Sequence, residues 1–380
     1  MTRRSLLPVG IIIVSLMLAA CDTAPPPAAS PTAGAGASPT PGAGASPESS
    51  PAATAGTPSG GRLALVRSRG QLICGVNGGL PGFSFLETGT GAWSGFDVDY
   101  CKAVAAAVLG DANAVEYRQL STDDRGPALQ TGEIDVLIRN TTWTVSRDGQ
   151  WGLFAPTTFY DGQGMMVRAD SGATSLADLG GATICVQSGT TTELNLADAM
   201  AEAGHADNFT TQVFDNIDQT YSTYESETCD GVTSDRSQLV SRRTQMATPD
   251  DHILLEEVMS KEPLGPVTPL NDDPWFNVVK WIVFATFEAE ELGITQGNVT
   301  EMHDTSDNLL IQRLLGTDPD GQQGVQLGLE NDWVVDVISA VGNYGEIFER
   351  NVGPDTVLGL DRGLNNLWTE GGLIYAPPYR

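Results

Sequence analysis

Ile134-Asp135-Val136-Leu137-Ile138 runs directly into Arg139-Asn140-Thr141-Thr142-Trp143-Thr144-Val145-Ser146-Arg147-Asp148. The first five residues are rich in β-branched apolar side chains and read as a buried strand, and the next ten read as the polar loop leaving its carboxyl end. In α/β folds that end of a strand is where ligands bind. Outward from this stretch the alternation repeats. Residues 71–76 and 115–119 read as strands, and 97–109 as a helix with Val98, Cys101, Val104, Ala105 and Val108 on one face. A second set follows, with strands over 183–187, 211–214 and 231–233, a helix over 191–203, and another helix from Asp235. Interleaved strands and helices of this kind predict an α/β fold of two small doubly wound sheets. Residues 274–292, 307–315 and 331–350 carry i, i+3, i+4 apolar spacing flanked by Gly and Pro, which predicts a helical C-terminal extension.

A chain of 380 residues is too long for one ordinary core and points to two lobes plus processing segments. Its 48 Asp and Glu against 20 Lys and Arg give a net charge of −28, which repels phosphate backbones and excludes a nucleic-acid partner. The three histidines, His205, His252 and His303, are widely separated, and neither H-E-x-x-H nor C-x-x-C occurs, so no metal site is expected. Neither sheet carries G-x-G-x-x-G or a phosphate loop, so no cofactor is expected. No motif sets a base beside a nucleophile, which argues against an enzyme.

The N-terminus carries Arg3 and Arg4, then a mostly apolar run from Leu6 to Ala20, then Cys21. A spanning helix needs ~20 apolar residues, and this run is shorter and ends on small side chains, as a signal peptide does. Leu18-Ala19-Ala20-Cys21 resembles the bacterial lipobox, whose Cys becomes the lipidated first residue of the mature chain. Residues 1–21 are therefore read as signal peptide and lipobox, and the protein as extracytoplasmic and held to the cell membrane by lipid on Cys21. Residues 22–61 are almost wholly Ala, Pro, Gly, Ser and Thr, with Glu48 the only charge after Asp22. With nothing to bury, they read as a disordered tether with a reach of roughly 35 Å.

Two further strand ends carry polar residues. Gln187-Ser188-Gly189-Thr190-Thr191-Thr192-Glu193 joins a strand to a helix, whose first N–H groups are free to grip an anion. Gly231-Val232-Thr233 runs on to Ser234-Asp235-Arg236. A zwitterion such as a free amino acid requires a forked cation for its carboxylate and an anion for its ammonium. Arg147 is the candidate carboxylate clamp, with Thr190 and Thr191 opposite, and Asp235 is the candidate ammonium acceptor. The competing readings are a surface ion pair for Arg147 and plain helix capping for Asp235 and the threonines.

Cys74-Gly75-Val76, Pro81-Gly82-Phe83-Ser84, Trp93-Ser94-Gly95-Phe96-Asp97-Val98-Asp99, residues 139–147, Tyr160-Asp161-Gly162-Gln163-Gly164, residues 189–197, Ser260-Lys261-Glu262-Pro263-Leu264-Gly265-Pro266, Gly342-Asn343-Tyr344-Gly345-Glu346 and Tyr375-Ala376-Pro377-Pro378 occur in order between about Arg62 and Arg380. In these the chain resembles the general L-amino acid-binding proteins of ABC transporters, a branch of the polar amino acid-binding proteins. The resemblance implies a type II-like, two-lobe periplasmic-binding-protein fold that closes like a clamshell. Residues 62–162 would form the first lobe, 163–262 the second, and 263–380 the return to the first lobe with the extension, with crossings near 160–165 and 260–267.

In such relatives the counterpart of Arg147 holds the carboxylate, those of Asn140 and Thr142 bond the ligand backbone, that of Asp235 holds the ammonium, and that of Thr191 offers its N–H. Phe83 falls near the aromatic position that covers the ligand side chain, and Asn77 at a position that is acidic in lysine- and arginine-binding relatives. Arg139 departs from the small residue usual there, and is read as narrowing the pocket or pairing with Asp135. Trp143 is read as packing under the site or against the ligand. The implied function is capture of free L-amino acids, with broad range, by a monomer that delivers them to the permease subunits of an ABC transporter. A ligand-sensing surface lipoprotein and a dehydratase-like enzyme are the alternatives. Beyond Cys21, Cys74, Cys101, Cys185 and Cys229 form an even set in an oxidising compartment, with three possible pairings. Cys74–Cys101 and Cys185–Cys229 are favoured because each stays within one lobe, where a bond between lobes would restrict closure.

Overall fold

The computed structural model describes residues 61–380, so the signal peptide, Cys21 and the tether up to residue 60 lie outside the described residues. Gly61, assigned above to the tether, instead opens a helix, Gly61–Arg69.

Two sheets organise the chain. In the first, the strands run in the order Val115–Gln119, Leu72–Val76, Val136–Leu137, Val267–Pro269, Gly152–Phe154. The first three are parallel and Val267–Pro269 is antiparallel to both its neighbours. In the second, the order is Thr210–Phe214, Thr183–Gln187, Gly231–Asp235, Phe159–Arg168, His252–Leu254. The ten-residue strand Phe159–Arg168 pairs with three strands, His252–Leu254 lying against residues 166–168. Residues 159–162 pair with Lys261–Leu264, and residues 163–167 pair with Gly231–Asp235. The chain therefore passes between the sheets along two antiparallel strands, the kind of short connection about which lobes rotate.

Each lobe has its own core. The first buries Trp275, Trp333, Tyr100, Tyr344, Phe83, Phe96 and Phe348. Its helix Phe96–Leu109 is buried at every position from Phe96 to Val108 except Lys102, although a half-buried helix needs only one apolar stripe. The second face is covered by Trp333–Val341 and Asp273–Glu291 from the C-terminal extension, and the small side chains Ala105, Ala106 and Ala107 permit close helix packing. The extension is thus a cover for the first lobe.

The single helix expected over 331–350 is two helices, Trp333–Val341 and Tyr344–Asn351. Gly342 ends the first with a positive φ of 78°, and Asn343 starts the second through a reciprocal cap with Glu346. The sequence reading also missed the helices Arg125–Thr131 and Ile217–Glu225 and a small meander of Gly79–Leu80, Ser84–Leu86 and Trp93–Ser94. The meander needs Gly95, at φ 124°, because a Cβ there would collide with the Phe83 carbonyl.

In the second lobe the inner strands are buried on both faces. Met165 and Val167 join Ile184, Val186 and Leu196 in one cluster, while Met166 joins Cys185, Tyr221, Tyr224 and Leu239 in the other, as the two-residue period of a strand dictates. Cys74–Cys101 ties strand Leu72–Val76 to helix Phe96–Leu109, and Cys185–Cys229 ties Thr183–Gln187 to the approach of Gly231–Asp235. Spanning 27 and 44 residues, each stabilises its lobe by about 4 kcal/mol in the chain-entropy account.

Candidate functional site

The carboxyl ends of strands from both sheets converge on one small cavity. The first lobe lines it with Thr122, Arg125, Arg139, Asn140, Thr142 and Arg147, and the second with Gln187, Thr190–Thr192, Ser234, Asp235 and Gln238.

Arg147 sits in the short helix Val145–Gln150, whose cap Thr144 accepts the Arg147 N–H at 3.2 Å. Its guanidinium is buried, lies 5.0 Å from the Trp151 ring, and donates to the Thr142 carbonyl at 3.0 Å and the Gly189 carbonyl at 3.3 Å. It forms no ion pair among the described residues, so the surface-pair reading does not describe it. Arg125, at the start of its helix, donates to the Thr122 carbonyl at 2.8 Å and likewise to Gly189 at 3.3 Å. Burial, reinforced by Arg139 and Arg147, pushes its pKa well down.

Asp235 ends strand Gly231–Asp235 and precedes helix Arg236–Arg243, yet its carboxylate does not cap that helix. It is buried, and burial raises its pKa well above the ordinary carboxylate range, helped by the charges of Asp161 and Glu262 and opposed by Arg147. Thr190 does cap, accepting the Glu193 N–H at 3.0 Å, while also lining the cavity.

The lobes meet through direct contacts. Asn140 Nδ2 donates to Gln238 Oε1 at 2.7 Å. Glu262, fully buried on strand Lys261–Leu264, accepts Thr142 Oγ1 at 2.6 Å from the first lobe and Thr191 Oγ1 at 2.8 Å from the second. Its other oxygen accepts Ser260 Oγ at 2.5 Å and Asn195 Nδ2 at 3.2 Å. Glu262 escaped the sequence reading of the site, as did Thr122, Arg125, Gln187, Thr192, Ser234 and Gln238. Arg125 and Gln187 follow or end strands, so the strand-end rule itself reaches them.

Three expectations are corrected, and a fourth is decided between its two readings. Phe83 does not cover the cavity: its ring is buried against Phe96 and Phe159, at 6.1 and 5.2 Å, because the meander turns it into the core. Asn77 stands behind the cavity wall, where its Nδ2 donates to Asn140 Oδ1 at 3.3 Å. Trp143 is half exposed and stacks on Phe154 at 5.9 Å, outside the lining. Of the two readings of Arg139, it lines the cavity and does not pair with Asp135, whose carboxylate faces Arg62 and Arg69 and accepts the Ile73 N–H at 2.7 Å.

The profile of the bacterial extracellular solute-binding proteins, family 3, matches residues 72–260. Over 327 residues the chain is 50% identical to the general L-amino acid-binding periplasmic protein AapJ of Rhizobium johnstonii, covering 86% of this chain and 95% of that protein. The chain belongs to family 3 of the bacterial extracellular solute-binding proteins. This solute-binding protein is also 47% identical to the glutamate/glutamine/aspartate/asparagine-binding protein BztA of Rhodobacter capsulatus, over 87% of its own length and 96% of the relative's. It superposes on an ABC transporter periplasmic binding protein from Brucella ovis, solved with glutathione bound, with a TM-score of 0.81, 50% identity and coverage of 84% and 99%. Because 327 aligned residues exceed the 272 that precede the helix Asp273–Glu291, the Rhizobium relative shares part of the extension as well.

Proposed function

We propose that this solute-binding protein captures free L-amino acids of broad range by closing its lobes on them and delivers them to the permease subunits of an ABC transporter. One observation supports the reading above the rest: Arg147 from one lobe and Asp235 from the other are buried in the wall of the same cavity and paired with no protein charge among the described residues. Opposite charges not neutralised by the protein are what the two ends of a zwitterion require. The Thr191 N–H, at the first turn of its helix, would reach the carboxylate, with Asn140 and Thr142 beside the ligand backbone. The names of the Rhizobium and Rhodobacter relatives span several side chains, which favours breadth.

Glutathione presents the same amino-acid head at its glutamyl end, and a groove along Thr144, Ser146, Trp151 and Leu194 continues outward from Arg147 and Thr190. It belongs in the same ligand panel. We read the protein as a monomeric binder and not an enzyme, secreted with Cys21 acylated so that residues 22–60 tether the lobes to the membrane.

Thermal unfolding of the mature chain against the common amino acids and glutathione tests the reading. A ligand at 100 times its Kd stabilises by about 2.7 kcal/mol, which raises the midpoint by several degrees. Failure of every amino acid to move the midpoint would overturn it. Mass analysis of the mature N-terminus should find acyl chains on Cys21, and an unmodified thiol there would remove the anchor.

A further inference from the structure

We propose that Arg139 sets the order of preference within that broad range, favouring amino acids whose side chain ends in a carboxylate and, more weakly, an amide. The inference rests on the amino-acid-binding reading above and assigns a buried cation of the cavity wall which that reading leaves without a role.

Arg139 is only 5% exposed and lines the cavity. Its Nε is sealed from solvent and has no hydrogen-bond partner among the described residues. Nor does any ion pair among them include it. Burial lowers its pKa to about 10 against the opposing pull of Asp97, which leaves the guanidinium charged at neutral pH. Asp97 does not close the gap, since its own Oδ2 also lacks a partner. Buried cations without acceptors cost several kcal/mol and are rare in folded proteins. Such a group in a cavity wall is poised for an acceptor that a ligand supplies.

The other two arginines are differently placed. Arg125 and Arg147 both donate to the Gly189 carbonyl and both lie over Trp151. Arg139 shares neither contact. With the α-carboxylate at Arg147 and the ammonium at Asp235, the side chain is the ligand group left to meet Arg139. A carboxylate there gains a charge-assisted bond, an amide oxygen a weaker one, and a basic side chain meets a like charge.

Calorimetry on the full mature protein, with glutamate, glutamine, alanine and lysine as probes, tests this. Wild type should bind glutamate most tightly and lysine least. In Arg139→Met the affinity for glutamate should fall at least about tenfold, that for glutamine less, and that for alanine less than about threefold, as loss of one hydrogen bond to a charged group predicts. Arg139→Lys should restore part of the glutamate preference, because it keeps the charge without the fork. Equal weakening of all ligands in Arg139→Met would make Arg139 a structural residue and overturn the inference while leaving amino-acid capture intact. Should that variant not fold, a wild type that binds alanine as tightly as glutamate overturns the inference by itself. A wild type that binds no amino acid ends both readings at once.

Discussion

Replacing Arg147 with lysine keeps the charge and removes the fork. An arginine side chain carries five N–H donors, and Arg147 directs two of its N–H groups to the Thr142 and Gly189 carbonyls, which leaves three for a ligand carboxylate. A lysine ammonium has three donors, so one that kept both carbonyls satisfied would have one left. A bidentate grip then becomes a single bond. Losing one hydrogen bond to a charged group costs about 1.5–3 kcal/mol, or roughly 10- to 150-fold in Kd. Titration calorimetry of Arg147→Lys with whichever amino acid most stabilises the wild type measures the loss directly. Matched unfolding midpoints without ligand show that the fold is intact. A Kd within threefold of wild type would refute the assignment of the fork to the carboxylate.

Two other perturbations follow from the same geometry. Burial, together with Asp161 and Glu262, raises the pKa of Asp235, so its carboxyl holds its proton at pH values where a free aspartate is ionised, whereas an ammonium partner needs the ionised form. Binding should therefore release a proton, affinity should fall as pH drops through that raised pKa, and Asp235→Asn should abolish both the slope and most of the affinity; calorimetry in buffers of differing ionisation enthalpy would expose a proton count of zero, which contradicts this. Gly189 has φ 68°, and a Cβ there would collide with the Asp123 carboxylate of the opposite lobe, so Gly189→Ala should weaken every ligand alike by obstructing closure; small-angle scattering that shows ligand-induced compaction equal to wild type would count against it.

The sequence was most informative where function follows a strand end. Asn140, Thr142, Arg147, Thr190, Thr191 and Asp235 all lie at or just beyond such ends, and the structure brings all six to one cavity. Arg125 obeys the same rule but sits six residues past strand Val115–Gln119, behind Ser121-Thr122-Asp123-Asp124, a stretch that looks like solvated surface. Glu262 was illegible for a different reason. Its strand reads Lys-Glu-Pro-Leu, and only pairing with the long strand Phe159–Arg168 buries the carboxylate between two lobes. Phe83 and Trp143 were misplaced because an aromatic beside a polar loop has two apolar surfaces to choose from, and tertiary packing chose Phe159 for one and Phe154 for the other. In the extension, the apolar period runs unbroken through residues 331–350, so only the positive φ of Gly342 reveals two helices.

The division of charge between the lobes bears on why a ligand should favour closure at all. Arg125, Arg139 and Arg147 belong to the first lobe and Asp235 to the second, so closing the cleft withdraws each from water without joining any of them in an ion pair among the described residues. That cost opposes closure, and a zwitterion touching both lobes offsets it in the closed state alone, which is the differential affinity a conformational shift requires. Moving a population from 1:99 to 99:1 takes about 5.5 kcal/mol. Two bonds from the Arg147 fork and one at Asp235, at about 1.5–3 kcal/mol each, give about 4.5–9 kcal/mol, which brackets that requirement. Each disulfide lies within one lobe, so neither opposes the shift. Removing one bond leaves about 3–6 kcal/mol, so Arg147→Lys saturated with ligand should hold a measurable fraction of open protein where the wild type holds almost none.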